Sequence, residues 1–147
     1  MGRKTLADSF GALLRYTWDH SPELHGVQGL IPVPLHPKNE RLRGFNQAEL
    51  LAKRLGESIG LPVLPLILRS RQTTSQVAKN RSERRTNVRD AFMLHPAAIT
   101  REKTLSRASF LLIDDVCTTT STLEECARTL RRGGVRTVKS LVLARDL

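Results

Sequence analysis

The chain has 147 residues, 39% apolar and 26% charged, the make-up expected of one globular domain (residues 1–147) with its own core. No apolar run approaches the roughly 20 residues of a membrane-spanning helix, and the start, MGRKTLADSFGALL, lacks the apolar stretch and cleavage site of an export signal, so the cytoplasm is the expected compartment. Twenty-four Lys and Arg against 14 Asp and Glu give a net charge of +10, which favours an anionic partner, either nucleic acid or a phosphorylated small molecule.

The N-terminal segment, residues 1–25, carries Leu6, Phe10, Leu13, Leu14 and Trp18 at helical spacing, predicting a helix over residues 4–18. Leu30 to Leu35, LIPVPL, reads as a short strand whose prolines at 32 and 34 confine it to an edge or a strand end. HPKNERLRG follows as a polar loop. Asn46 and Glu49 then match a capping box, with Phe45 and Leu50 as its hydrophobic staple, and Leu51, Ala52, Leu55 and Ile59 continue one helical face as far as Gly60. LPVLPLILR, residues 61–69, suggests another strand. Residues 69–89 hold seven Arg or Lys against the single acid Glu83, consistent with a solvated face, a nucleic-acid surface or a loop that meets phosphate.

Cys117 and Cys126 are nine apart, and His20, His25, His36 and His95 are scattered, so no zinc site is expected. Phe110 to Ile113 is a continuous apolar run, as in a strand covered on both faces of a parallel sheet. Leu123, Cys126, Ala127 and Leu130 form a helical stripe stopped at Gly133-Gly134, and Val138 to Ala144 gives a last strand. Strand, helix, strand with short connections predicts an α/β fold with a mostly parallel open sheet and flanking helices.

Between these elements lies IDDVCTTTST, residues 113–122. In open α/β sheets ligands sit beyond the carboxyl ends of strands, where Asp114 and Asp115 fall. Thr118, Thr119, Thr120, Ser121 and Thr122 occupy the turn into a helix, whose N-terminal amides attract phosphate. The carboxylates suit a ribose diol or a hydrated divalent cation. A sugar phosphate satisfies both halves; simple helix capping is the plainer alternative. Apolar-Asp-Asp also occurs in nucleotide hydrolases, but neither GxxxxGK[ST] nor GxGxxG is present.

IDDVCTTTST resembles the phosphoribosyl pyrophosphate (PRPP) signature of type I phosphoribosyltransferases. With IPVPLHP, ERLRGFNQAELLA, the TTSQ and RDAF segments and the closing VLAR, the chain resembles the ComF-type competence family from about residue 4 to 145. The family's paired-cysteine zinc-ribbon region has no counterpart in these residues, and Thr120 stands where the signature carries Gly. A β-branched residue is strained there if the position needs φ > 0.

The resemblance implies a Mg²⁺-dependent pentosyl transfer that releases pyrophosphate, with Asp114 and Asp115 catalytic and holding the metal through water. It assigns Thr118–Thr122 to the 5′-phosphate. Pro34, Leu35, His36, Lys38, Arg43 and Gly44 fall to pyrophosphate, with Arg41 a further cation. Thr73, Gln76, Arg81, Arg84 and Arg85 fall on a mobile basic loop over residues 70–89. The alternative it implies is a DNA-uptake accessory that binds single-stranded DNA and competence-machinery proteins, with little transferase activity.

Overall fold

A computed structural model describes residues 2–70, 89–99, 105–117 and 119–146. In chain order the elements are α1 (Gly2–Asp19), a 3-10 turn (Pro22–Leu24), β1 (Gly29–Pro32), α2 (Pro37–Arg43), α3 (Gln47–Ile59), β2 (Ile67–Arg69), β3 (Phe92–Leu94), α4 (Pro96–Ile99), β4 (Ser109–Cys117), α5 (Ser121–Arg132) and β5 (Thr137–Arg145). Among the described residues no helix is long and apolar enough to cross a membrane.

β4 is the middle of a parallel three-stranded sheet in the order β1-β4-β5. Its register runs Gly29↔Phe110 to Pro32↔Ile113 on one side and Ser109↔Thr137 to Cys117↔Arg145 on the other. Side chains alternate across a strand, so Phe110 and Leu112 join the core beneath α5, with Leu123, Cys126 and Leu130. Leu111 and Ile113 join the opposite core, with Leu14 of α1 and Leu51 and Leu55 of α3. The apolar run in the sequence therefore becomes a strand covered on both faces, as the α/β reading expected.

Two expectations change. Residues 61–69 do not form one strand, because Pro62 and Pro65 lack the N–H a ladder needs. Val63 makes a single parallel bridge to Leu30, and β2 turns away to pair antiparallel with β3, Ile67↔Leu94 to Arg69↔Phe92. The HPKNERLRG stretch is helical rather than a loop. His36 Nδ1 accepts the Lys38 N–H at 3.2 Å, Pro37 sits in the first turn, and Gly44 closes α2 at φ 78.

Asn46 ties the start of α3 to the end of β1. Its Oδ1 accepts the Ala48 N–H at 3.1 Å and its Nδ2 donates to the Val33 carbonyl at 3.1 Å, in a site 8% exposed. Glu49 pairs with Lys53 at 2.9 Å. The helix ends at Gly60, φ 75.

Because Asn46 both caps α3 and holds the end of β1, Asn46→Ala should cost roughly 2 kcal/mol. Asn46→Ser, which keeps a cap acceptor and loses the tie, should cost about half as much. Urea unfolding midpoints check the order; equal stability of all three proteins would contradict it.

Candidate functional site

β1 pairs with β4 only as far as Pro32↔Ile113, while β5 accompanies β4 to Cys117. Asp114 and Asp115 therefore sit inside β4, on the tip that outruns β1, and not beyond the strand as the sequence suggested. Alternation starts their side chains on opposite faces. Each then curls back on the next amide: Asp114 Oδ1 accepts the Asp115 N–H at 2.9 Å, and Asp115 Oδ1 accepts the Val116 N–H at 2.8 Å.

Burial, and after it the hydrogen bond and charge of Asp115, push the Asp114 carboxyl up to about 7; the Arg69 guanidinium pulls the other way. Arg69, at the end of β2, lies over the Phe92 ring at 5.3 Å, and burial lowers its own pKa. Sequence reading passed over Arg69 as one more cation in a basic run. Only the pairing of β2 with β3 brings it toward β4.

The hydroxyl-rich turn follows β4 directly. Thr118 lies outside the described residues. Cys117 Sγ bonds the Thr119 carbonyl at 3.2 Å, and Thr119 Oγ1 bonds Ser121 Oγ at 3.1 Å. Ser121 is buried and Thr122 half-buried. Thr120 holds the N-cap position of α5 at φ −70, ψ −3, without a side-chain bond to the helix amides; its hydroxyl donates instead to the Glu124 carboxylate. The backbone there is ordinary for threonine, so the strain expected of a residue replacing Gly is absent. The first N–H groups of α5 have no acceptor within the helix, and Thr120 does not cap them with its side chain.

The chain leaves β1 beside the doublet, since Val33 N donates to the Ile113 carbonyl at 2.9 Å. Pro34, Leu35 and His36 follow, half-buried, and Lys38, Arg41, Arg43 and Gly44 are exposed. The Nδ1 of His36 is engaged as the cap of α2. Arg43 and Asp115 line one cavity of about 610 Å³ together with Phe10, Phe45 and Gln47. Thr73, Gln76, Arg81, Arg84 and Arg85 lie outside the described residues.

At the C-terminal base of that basic stretch, Asp90 takes φ 55. Its N–H donates to Oε1 of Glu125 at 3.2 Å, while Glu125 Oε2 meets Arg128 at 2.8 Å. Glu125 is 4% exposed. A buried carboxylate is tolerable because both oxygens are bonded, and it fastens this turn to α5. The sequence hid it as an acid beside the apolar stripe.

Among the described residues no three His, Cys, Asp or Glu cluster as metal ligands. Two adjacent carboxylates are hard oxygen donors of the kind a hydrated divalent cation takes, and its charge would oppose the burial and the Asp115 charge that raise Asp114.

The phosphoribosyl transferase domain model matches residues 43–147. The chain is 37% identical over 119 residues to Competence protein F of Haemophilus influenzae, covering 80% of this chain and 50% of that protein. It is 32% identical over 149 residues to DNA utilization protein YhgH of Escherichia coli O157:H7, covering 99% and 63%. With Competence protein ComFC of Bacillus subtilis it shares 33% over 126 residues, covering 85% and 47%. The chain spans about half to three-fifths of the length of these relatives.

A carboxyl raised to about 7 binds a proton in the folded state that the unfolded chain releases near pH 4. Its contribution to stability is full below about pH 4 and is lost as pH rises through 7. Asp114→Asn should therefore stabilise the protein at pH 8, by on the order of 2–4 kcal/mol, and little at pH 4. Thermal unfolding at the two pH values checks this; equal effects at both would contradict it.

Proposed function

Since the chain belongs to the phosphoribosyl transferase domain family, in its ComF-type branch, we propose that it binds PRPP with Mg²⁺ and transfers the pentosyl group with release of pyrophosphate. The observation that carries this reading is the acidic tip of β4 leading directly into the uncapped N-terminus of α5. Asp114 and Asp115 hold the ribose hydroxyls. The α5 amides and the hydroxyls of Thr118–Thr122 hold the 5′-phosphate, where the positive end of the helix favours a dianion. Pro34–Gly44 holds pyrophosphate, with Lys38 and Arg43 as charge-assisted donors.

Bound Mg²⁺, reached through water by Asp114 and Asp115, would neutralise charge that builds on the departing diphosphate. The protein's own part is positional. It fixes the ribose between the doublet and the hydroxyl turn and gathers cations on the leaving-group side as positive charge grows at C1.

A second reading, nucleic-acid handling with competence-machinery partners, is supported by a second cavity of about 680 Å³. Arg131 and Lys139 line it together with Arg128 and Arg132, which also meet Glu125 and Asp90, and Glu124 is the acid in its wall. The relatives' names, competence and DNA utilization, agree with this reading.

PRPP with Mg²⁺ should raise the melting temperature by several degrees at a concentration about 100-fold above Kd, and Asp115→Asn should abolish the shift. No shift with the unmutated protein would overturn the transferase reading. Salt-sensitive binding of single-stranded DNA in its place would favour the second.

A further inference from the structure

We propose that β5 and the adjoining face of α5 pair with a second copy of this chain across a two-fold axis, and that Arg131 of the second copy takes the Glu124 carboxylate. What this does to phosphate binding rests on reading the α5 N-terminus as the 5′-phosphate site. β5 is nine residues long and ends the sheet, with a partner, β4, on one side only among the described residues. Its other edge is a row of N–H and C=O groups that can template a further strand. Through its middle the usual guards are missing: β5 has no proline, and Lys139 turns its ammonium to the His25 carbonyl at 2.6 Å. The cleft of about 680 Å³ along that edge has an apolar floor of Leu112, Leu123, Ala127 and Val138, bordered by the exposed Ser140.

Symmetry and charge select the occupant. An edge paired with itself about a two-fold axis runs antiparallel, and it sets α5 antiparallel to the second copy's α5 on the same face of the joined sheet. With Ser140 opposite itself, Val138 meets Val142 of the second copy, and both pack with the core under α5. Glu124, Ala127, Arg128 and Arg131 share one helical face. Two such faces crossing between Ala127 and Arg128 bring Glu124 against Arg131, twice over. Arg128 and Arg132 already meet Glu125 and Asp90, while Arg131 has no ion pair among the described residues. A nucleic-acid strand in the cleft would meet the Glu124 charge and find no aromatic ring in the lining.

Glu124 carries the consequence for the site. Its carboxylate accepts the Thr120 hydroxyl at the mouth of α5 and sets a negative charge where phosphate would bind. Drawn to Arg131 of the second copy, it releases that hydroxyl to phosphate, so dimer and ligand strengthen each other.

Sedimentation velocity of the full chain, from about 1 to 100 μM, should show a dimer. Arg131→Glu and Glu124→Arg should each raise its Kd about tenfold or more, because like charges then face each other twice. Both side chains are exposed, so either variant folds. The double variant, with opposite charges restored, should recover most of the loss. A monomer throughout the range, or a dimer indifferent to both reversals, would overturn the interface. A monomer whose binding of single-stranded DNA is lost on Arg131→Glu would also overturn it and give the cleft to nucleic acid. Ribose 5-phosphate should tighten the unmutated dimer about threefold. Ribose 5-phosphate that binds, as amide shifts at Thr119–Leu123 report, without tightening the dimer would overturn the transfer of Glu124 and leave the phosphate reading standing. A charge-dependent dimer that binds no ribose 5-phosphate would uphold the interface and remove the phosphate site.

Discussion

The burial of β4 on both faces is the constraint from which the site follows. Leu111, Leu112 and Ile113 are fully buried between α1 and α3 on one side and α5 on the other. Each such side chain contributes roughly 1.5–3 kcal/mol. A strand packed on both faces cannot slip by one residue without exchanging its two cores and drawing Asp114 or Ser109 into an apolar layer. The position of Asp114 and Asp115 is thereby fixed to the position of the core. The acids are where they are because four residues before them have nowhere else to go.

That placement works against stability. Asp114 is driven toward its neutral form by burial and by its neighbour, and the first turn of α5 lacks a side-chain cap from Thr120. Local defects of opposite charge preference, lying next to each other, are what a ligand with a diol and a phosphate would repair. Glu125 offers a contrast. It is also a buried acid, yet its oxygens bond the Asp90 amide and Arg128, and it serves the architecture by fastening the turn before β3 onto α5.

Much of this was legible in the sequence wherever one element settled the matter. β4, α3 and α5 follow from their apolar spacing, and Asn46 from its place before α3. The hydroxyl run pointed to the turn, and the family resemblance to the matched domain. Features built from several elements were hidden. Arg69 comes near enough for its charge to act on Asp114 only because Pro62 and Pro65 break the preceding run and β2 turns to meet β3. The cavity near Asp115 needs α1, α2, α3 and the tip of β4 together. The helix α2 was lost for a local reason, since a histidine cap and a following proline are weaker signals than the charges around them. Thr120 misled in the other direction, because a glycine in a signature does not by itself require a left-handed backbone.

The central claim is that the β4 tip and the α5 N-terminus form one sugar-phosphate site. Amide chemical-shift mapping with ribose 5-phosphate tests it without depending on turnover. Saturable shifts at Thr119–Leu123 together with Asp114–Val116 are the expected result. Shifts confined to Arg128–Arg132, or none at millimolar ligand, would contradict the account.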